Sequence, residues 1–175
     1  DEVRSAVVEL FERAFSDFLA ARTREGESLK HVFLKNCENI LEIVGDVEKR
    51  MPEIHEHLRT KLQERLETAL SEALTEKSTL SREEVSDRIR QEVTLYALRM
   101  DVSEEINRLR THVREVRATL EKGGVVGRRL DFMTQEMNRE ANTLGSKAAA
   151  IEMTQASIAL KLNIDQMREQ LQNLE

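Results

Sequence analysis

The sequence contains very few of the residues that interrupt helices or form flat stacking surfaces. It has one proline, Pro52, six glycines and no tryptophan, and aromatic residues make up only 3% of its 175 residues. Because proline and glycine mark most turns, their scarcity predicts few turns and long helices. The low aromatic content argues against an aromatic platform on which single-stranded bases would stack.

Cysteine and long apolar runs are also scarce. The one cysteine, Cys37, excludes an internal disulfide framework and is typical of a reducing compartment, so we expect a cytoplasmic protein. Since free cysteines are usually buried, we interpret Cys37 as a small apolar core residue. No apolar run approaches the roughly 18 residues of a membrane span and no signal peptide is visible, so we expect no membrane partner. The chain begins without Met inside a helical pattern, which suggests a piece of a longer protein.

The net charge of −6 argues against a basic surface over the whole molecule, but the charge is unevenly distributed. Residues 122–175 contain seven Lys or Arg and seven Asp or Glu, so residues 1–121 carry the entire acidic excess. The C-terminal segment can therefore approach a polyanion more easily than the rest of the chain.

The first half of the chain shows helical periodicity throughout. Apolar residues at three-and-four spacing predict a helix over residues 2–22, an interruption at residues 24–26, and a second helix from about Glu27. Pro52 either kinks this helix or opens the next one at its first position. His55 and His57 lie two residues apart and do not share a helix face, so we interpret both as surface residues. The segment 77–80 is the clearest internal boundary, which divides the chain into domains at residues 1–80 and 81–175.

The second half also reads as helices separated by short breaks. Ser81 with Glu84 forms a capping box, and Asp101 with Glu104 forms a second one that permits a bend. Gly123 and Gly124 end the helix that follows. Two more helices follow, and no segment alternates like a strand. We therefore predict an all-α fold of long antiparallel helices, with a C-terminal helical hairpin plus a terminal helix.

The stretch from Gly127 to Lys147, GRRLDFMTQEMNREANTLGSK, differs from an ordinary soluble helix. It is rich in amide and hydroxyl side chains, which form directed hydrogen bonds and do more than keep a helix soluble. These polar side chains lie beside an unbroken apolar stripe. We interpret this helix as the functional centre of the chain.

Two arcs of polar residues are predicted to meet across the C-terminal hairpin. They consist of Asp101, Glu105, Arg108 and His112 on the first helix, and of Glu136, Glu140, Thr143 and Lys147 on the second. At 100° per residue each arc covers about 60° of its helix and flanks the apolar stripe by about 90° in the same rotational sense. Helices joined by a short linker pack antiparallel, so folding at Gly124 brings the two arcs to the same side. We call these eight residues the polar ledge, with the predicted neighbours His112 and Glu136, Arg108 and Glu140, Glu105 and Thr143, and Asp101 and Lys147.

The chemistry of the polar ledge has more than one interpretation. Carboxylates and histidine suit a divalent metal or general acid–base catalysis, whereas arginine and lysine suit a phosphate. Complementary charges also occur across any solvated helix pair, as at the edges of a coiled coil. His112 taken alone fits an ordinary structural or exposed histidine.

Three long stretches resemble the C-terminal region of the bacterial YicC/YloC family. They are the Gly127–Lys147 sequence, the earlier RMDVSEEINRLRTHV and the ending REQLQNLE, and the likeness runs from about Gln91 to Glu175. Residues 1 to about 90, with the phrase TREGESL, are similar to the part that precedes this region. The resemblance implies that a further N-terminal segment is missing and that Glu175 is the natural C-terminus. It also implies a metal-dependent endoribonuclease that targets single strands and assembles as a hexamer.

The resemblance implies a role for residues in both motifs. We assign catalysis to Glu105, His112, Glu136 and Glu140. A divalent metal, Mg²⁺ or Mn²⁺, would be held by Asp101, Glu105, Glu136 and Glu140. RNA would be bound by Arg108, Arg128, Arg129, Asn138, Arg139, Asn142 and Lys147.

Two further expectations concern assembly and function. The last helix keeps an apolar heptad stripe to Leu174, and a chain of long helices has much apolar surface to cover, so we expect a homo-oligomer. The alternative to an RNA-cleaving enzyme is a non-catalytic helical scaffold or RNA-binding protein with the same fold.

Overall fold

The computed structural model describes the backbone of residues 2–73 and 82–172, and the side chains of residues 2–69 and 83–172. Within these ranges the protein contains no strand, which confirms the predicted all-α class. The five helices in the same ranges are α1 (Glu2–Ala73), α2 (Arg82–Arg99), α3 (Ser103–Lys122), α4 (Gly127–Ser146) and α5 (Ile151–Gln172).

Helix α1 is one continuous element of 72 residues, so the predicted interruption at residues 24–26 is wrong. A single glycine costs a helix only about 1 kcal/mol, and the good helix formers around Gly26 offset that cost. Pro52 lies inside the helix, which excludes the interpretation that it begins a new one. At 1.5 Å per residue, α1 is about 110 Å long.

The middle of α1 completes a four-helix bundle with the three C-terminal helices. It packs against α3 and α5, and α4 in turn packs against α3 and α5. The shared core contains the apolar stripes of all four helices, from Phe33 to Met51 on α1 and from Val102 to Leu171 on the others. Cys37 is completely buried in this core, as predicted, and burial raises the pKa of its thiol to about 11.

Helix α2 lies outside the bundle and packs only against α1 among the described helices. Its buried residues, Ile89 and Val93, are separate from the bundle core. The predicted boundary at residues 77–80 and the capping residue Ser81 lie outside the described residues. None of the described helices has an apolar stretch long enough to cross a membrane.

The junction between α2 and α3 confirms the predicted bend but corrects its capping. The N-cap of α3 is Val102, which makes no side-chain capping bond. Asp101 Oδ1 instead accepts hydrogen bonds from the backbone N–H and the hydroxyl of Ser103, at 2.9 and 2.6 Å. Glu104 pairs with Arg108 one turn later rather than forming a capping box with Asp101.

Helices α3 and α4 form the predicted antiparallel hairpin. Gly123 and Gly124 both have positive φ angles, 67° and 87°, which glycine adopts without steric cost. Across the hairpin, residues late in α4 face residues early in α3, as two ion pairs described below show. Helix α5 then returns along α4 as the predicted terminal helix.

Candidate functional site

The polar ledge forms where the sequence predicted it, on one side of the α3–α4 hairpin. Arg108 Nη1 lies 3.2 Å from Glu140 Oε1, which confirms the predicted neighbours. Lys147 Nζ donates a hydrogen bond to the carbonyl oxygen of Asp101 at 2.9 Å, which confirms a second pair. The same ammonium lies 2.8 Å from Glu105 Oε1. The hairpin therefore joins three residues of the first arc to two of the second.

The other two predicted contacts differ in detail. Glu105 pairs with Lys147, whereas the hydroxyl of Thr143 donates to the carbonyl of Arg139 within its own helix. Glu136 pairs with Arg139 at 3.2 Å on the same helix. His112 lies on the same side of the hairpin, but no hydrogen bond joins its Nδ1 atom to Glu136 among the described residues.

The two central carboxylates are buried while their cationic partners reach the surface. The side chains of Glu105 and Glu140 are both 6% exposed, whereas those of Lys147 and Arg108 are 30% and 55% exposed. A buried carboxylate requires a partner because it has lost its hydration. Hydrogen bonds from Arg108 to Glu140 and then to Glu104 raise the pKa of the guanidinium above its already high ordinary value. The buried carboxylates thus hold two cations at the edge of the hairpin.

A shallow cavity of about 520 Å³ lies along α3 beside this edge. Arg108 and His112 line it together with Asp101, Ser103, Glu104, Asn107 and Thr111. His112 is half-buried, and its Nδ1 atom is buried with no hydrogen-bond partner among the described residues. A ligand in this cavity would meet a guanidinium that can bind phosphate and an imidazole ring whose Nδ1 atom is itself buried.

The structure brings His55 of α1 to the same end of the hairpin, which the sequence analysis missed. The pKa of Asp101 is lowered chiefly by the hydroxyl and then the backbone N–H of Ser103, and the nearby His55 and Lys147 also lower it. His55 is half-buried with a buried Nε2, so interpreting it as a surface residue was wrong. Only the packing of α1 against α3 reveals this neighbour, since the helical spacing of His55 contains no such signal.

The predicted RNA-binding residues of α4 lie mostly on its outer face. Arg128 and Arg129 are exposed at the start of the helix, and neither forms an ion pair with any described residue. Arg139 is exposed and Asn142 is exposed, whereas Asn138 is half-buried. The outer face of α4 therefore presents three arginines to solvent.

The predicted metal ligands do not form a complete protein site within the described chain. No group of three or more His, Cys, Asp or Glu side chains lies close enough there to hold a metal ion. Glu105 and Glu140 are engaged by Lys147 and Arg108. Mg²⁺, however, commonly binds one or two carboxylates together with waters and substrate phosphates. Glu136, whose side chain is 22% exposed, fits that kind of site, and the metal stays a prediction.

Comparison with known proteins places these elements in a family. Residues 47–175 match the family model described as "Endoribonuclease YicC-like, C-terminal". The chain is 40% identical over 175 residues to the "Probable endoribonuclease YicC" of Haemophilus influenzae, and covers 57% of that protein. It is 33% identical over 154 residues to the protein of the same name from Clostridioides difficile, with 88% of this chain and 50% of that protein covered. The chain thus spans about half the length of the relatives it matches.

Proposed function

The chain belongs to the YicC-like endoribonuclease family, and on this premise we propose that it takes part in the endonucleolytic cleavage of RNA. One observation carries the proposal: the matched residues 47–175 include the whole polar ledge and the cavity beside it. The names of both relatives support the same activity for those proteins. RNA is the partner that this activity requires.

The cations of the hairpin supply the phosphate contacts. Arg108 and Lys147 are oriented by the buried Glu140 and Glu105, so they lose less conformational freedom on binding than mobile side chains would. Arg128, Arg129 and Arg139 extend the cationic surface along α4, and Asn138 and Asn142 add hydrogen-bonding groups. Phosphate contacts of this kind position the strand without reading its sequence.

His112 is the proposed general acid or base. Because Nδ1 is buried, the place of His112 in the cavity beside Arg108 would leave the other ring nitrogen, Nε2, to exchange a proton with a bound phosphodiester. In hydrolysis, water attacks phosphorus, the bond from phosphorus to the leaving oxygen breaks, and that oxygen takes up a proton. His112 would remove the proton from the water or deliver one to the leaving oxygen.

A divalent metal is part of the proposal, with Glu136 as its accessible carboxylate and Glu140 one turn further along α4. Asp101 and Glu105, the other two predicted ligands, lie towards the opposite end of the ledge beside Lys147. When bound, Mg²⁺ or Mn²⁺ would neutralise developing charge on the phosphoryl oxygens. Since Glu140 and Glu105 are needed to hold Arg108 and Lys147, their first role is to position those two cations.

The experiment that tests the function is cleavage of labelled RNA by the 175-residue chain and by its longer natural form. Each is incubated with Mg²⁺, with Mn²⁺ and with a chelator. Glu136→Gln keeps the side-chain shape but removes one negative charge, so we expect cleavage to fall by orders of magnitude while RNA affinity is kept or rises. His112→Ala should also reduce cleavage more than binding.

Controls separate catalysis from folding. Glu169→Gln on α5 makes the same charge change at an exposed position outside the ledge and should leave cleavage unchanged. Melting temperature and oligomeric state must match between variants. If Glu136→Gln is folded and cleaves RNA at the normal rate, this carboxylate is not part of the active site. If no form cleaves RNA under any condition, the scaffold alternative holds.

A further inference from the structure

One large aromatic side chain on α4 remains outside the core. Phe132 is 61% exposed, whereas Leu130 and Met133 close to it in the sequence are almost completely buried. Of the four exposed phenylalanines, Phe132 is the one on the C-terminal helices, whereas Phe11, Phe15 and Phe18 lie on the first part of α1. Burial of Phe132 would have stabilised the fold, and its exposed ring is instead available for a contact outside the bundle.

Phe132 lies on the outer face of α4 between two arginines. At 100° per residue, Arg128, Phe132 and Arg139 fall within an arc of about 40°, and Phe132 lies about 140° from the buried stripe of this helix. The arginines lie about 6 Å before and about 10 Å after Phe132 along the helix axis. Arg128 has no ion-pair partner among the described residues, and Arg139 pairs only with Glu136 of its own helix.

This arrangement has the chemistry of a single-strand nucleic-acid contact. An aromatic ring stacks on any unpaired base because every base has a π face, and flanking cations bind the phosphates on either side. A second protein with an apolar surface would cover Phe132 equally well, but it would leave the guanidinium of Arg128 at the rim of the contact without an anionic partner among the described residues; Arg139 already pairs with Glu136. The charge next to the ring thus favours a polyanion over an apolar protein surface.

We infer that Phe132 is a single base-stacking residue and not part of an aromatic platform: it holds one unpaired base of a single-stranded RNA while Arg128 and Arg139 bind the neighbouring phosphates. The inference rests on the proposed function, since RNA is its ligand. It assigns different tasks to two adjoining parts of the α4 surface, since Glu136 of the ledge lies about 40° from Phe132 around the helix. The polar ledge would contact the phosphate at which the strand is cleaved, and Phe132 on the outer face would bind the strand by stacking on a base. Paired bases are already stacked within a duplex, so this contact selects unpaired segments.

The absence of tryptophan allows a direct test. Phe132→Trp introduces a single indole fluorophore, and stacking on a base should quench its emission during titration with a single-stranded oligoribonucleotide. Ile158→Trp on α5 is the matched control, because Ile158 is 62% exposed on a helix that carries no predicted RNA contact. We expect saturable quenching for the first variant and little for the second, with RNA binding followed in parallel by fluorescence anisotropy of a labelled oligonucleotide.

A second set of variants measures the contribution of the ring. Phe132→Tyr should keep RNA affinity, whereas Phe132→Leu keeps the apolar bulk but lacks the π face and should weaken binding. Phe132→Ala should lower affinity about 5-fold to 150-fold, which corresponds to a stacking energy of about 1–3 kcal/mol per base. Because Phe132 is exposed, none of these changes should lower the melting temperature appreciably.

The outcomes separate this inference from the proposed function. If RNA binds but the indole emission of the Phe132→Trp variant does not change, or if Phe132→Leu binds as tightly as the parent, the stacking role is wrong and the RNA function stands. If RNA does not bind the parent chain, both fail. If Phe132→Leu or Phe132→Ala leaves RNA affinity unchanged but reduces the molecular mass in light scattering, Phe132 is a contact between copies of this chain and the stacking role is again wrong.

Discussion

Single residues control how closely the helices of the bundle approach one another. Gly145 on α4 faces Ser157 on α5 so closely that an added Cβ would lie 2.5 Å from the hydroxyl oxygen. That buried hydroxyl donates a hydrogen bond to the carbonyl of Ala141 at 2.8 Å. The α4–α5 contact therefore depends on having no side chain at residue 145.

Replacing Gly145 by Ala should destabilise the protein by about 1–3 kcal/mol. The methyl group must displace the Ser157 hydroxyl and break its buried hydrogen bond, which outweighs the gain in helix propensity. The free energy of unfolding in urea measures the effect.

Gly26→Ala on α1 is the matched control. No atom lies within 4 Å of the added Cβ, so this change should stabilise the helix by about 0.5–1 kcal/mol. The double variant with Ser157→Ala should recover part of the loss at Gly145. A neutral Gly145→Ala would show that α5 shifts to accommodate the methyl group.

At the scale of the element, α1 shows how tertiary packing overrides local helix-breaking signals. Its middle packs against α3 and α5, and its last third packs against α2. These contacts stabilise the helical conformation of the residues on both sides of Pro52. Proline removes one backbone hydrogen bond, and its ring crowds the carbonyl four residues earlier, but the contacts on either side offset that cost.

Pro52→Ala should therefore raise the free energy of unfolding, by about 1–3 kcal/mol. The substitution restores the N–H donor and relieves the crowding at an exposed position of a continuous helix. Thermal and urea unfolding measure it, and Glu53→Ala next to it serves as a control that should change stability by less than about 0.5 kcal/mol. A loss of stability on Pro52→Ala would mean that the bundle requires a bend at this point.

At the scale of the whole molecule, the apolar surface left exposed differs from the one that the sequence predicts. The heptad stripe of α5 predicts a subunit contact, but its residues from Met153 to Leu171 are buried inside the bundle, and Leu174 lies outside the described residues. A larger group of uncovered apolar side chains lies instead on the first part of α1, and its members are Val3, Val7, Val8, Leu10, Phe11, Phe15, Phe18 and Leu19. Such a large contiguous apolar surface is unusual on a monomer.

We therefore keep the prediction of a homo-oligomer, but we now attribute the contact between subunits to the exposed apolar side chains of α1. Phe11→Glu together with Phe18→Glu should reduce the molecular mass seen in light scattering at micromolar concentration, because a charged side chain is costly to bury in an interface. Helix content should not change, since both residues are exposed. Leu162→Glu on α5, also exposed, is the control. A strictly monomeric natural protein would contradict the prediction.

The sequence alone determined the three C-terminal helices, the hairpin and the family. The spacing of apolar residues along a helix can be read from neighbouring positions in the sequence. The apolar stripes from Val102 to Leu171 could therefore be assigned before the packing of the helices was known. The pairing of Arg108 with Glu140 also followed, because two helices joined at Gly123 and Gly124 leave only one antiparallel register for matched flanks.

Tertiary structure decided what local spacing does not encode. The continuity of α1 depends on partners on both sides of Pro52, and His55 meets Asp101 only because α1 packs against α3. The sequence placed Glu105 and Glu140 on the ledge, but only the packing of the helices buries them while their cationic partners stay more exposed. The sequence also did not show that Phe132 would be exposed, since the exposure of a helix face depends on how many neighbouring helices pack around it. These features are differences in burial and contact between distant segments, and such differences exist only after the chain has folded.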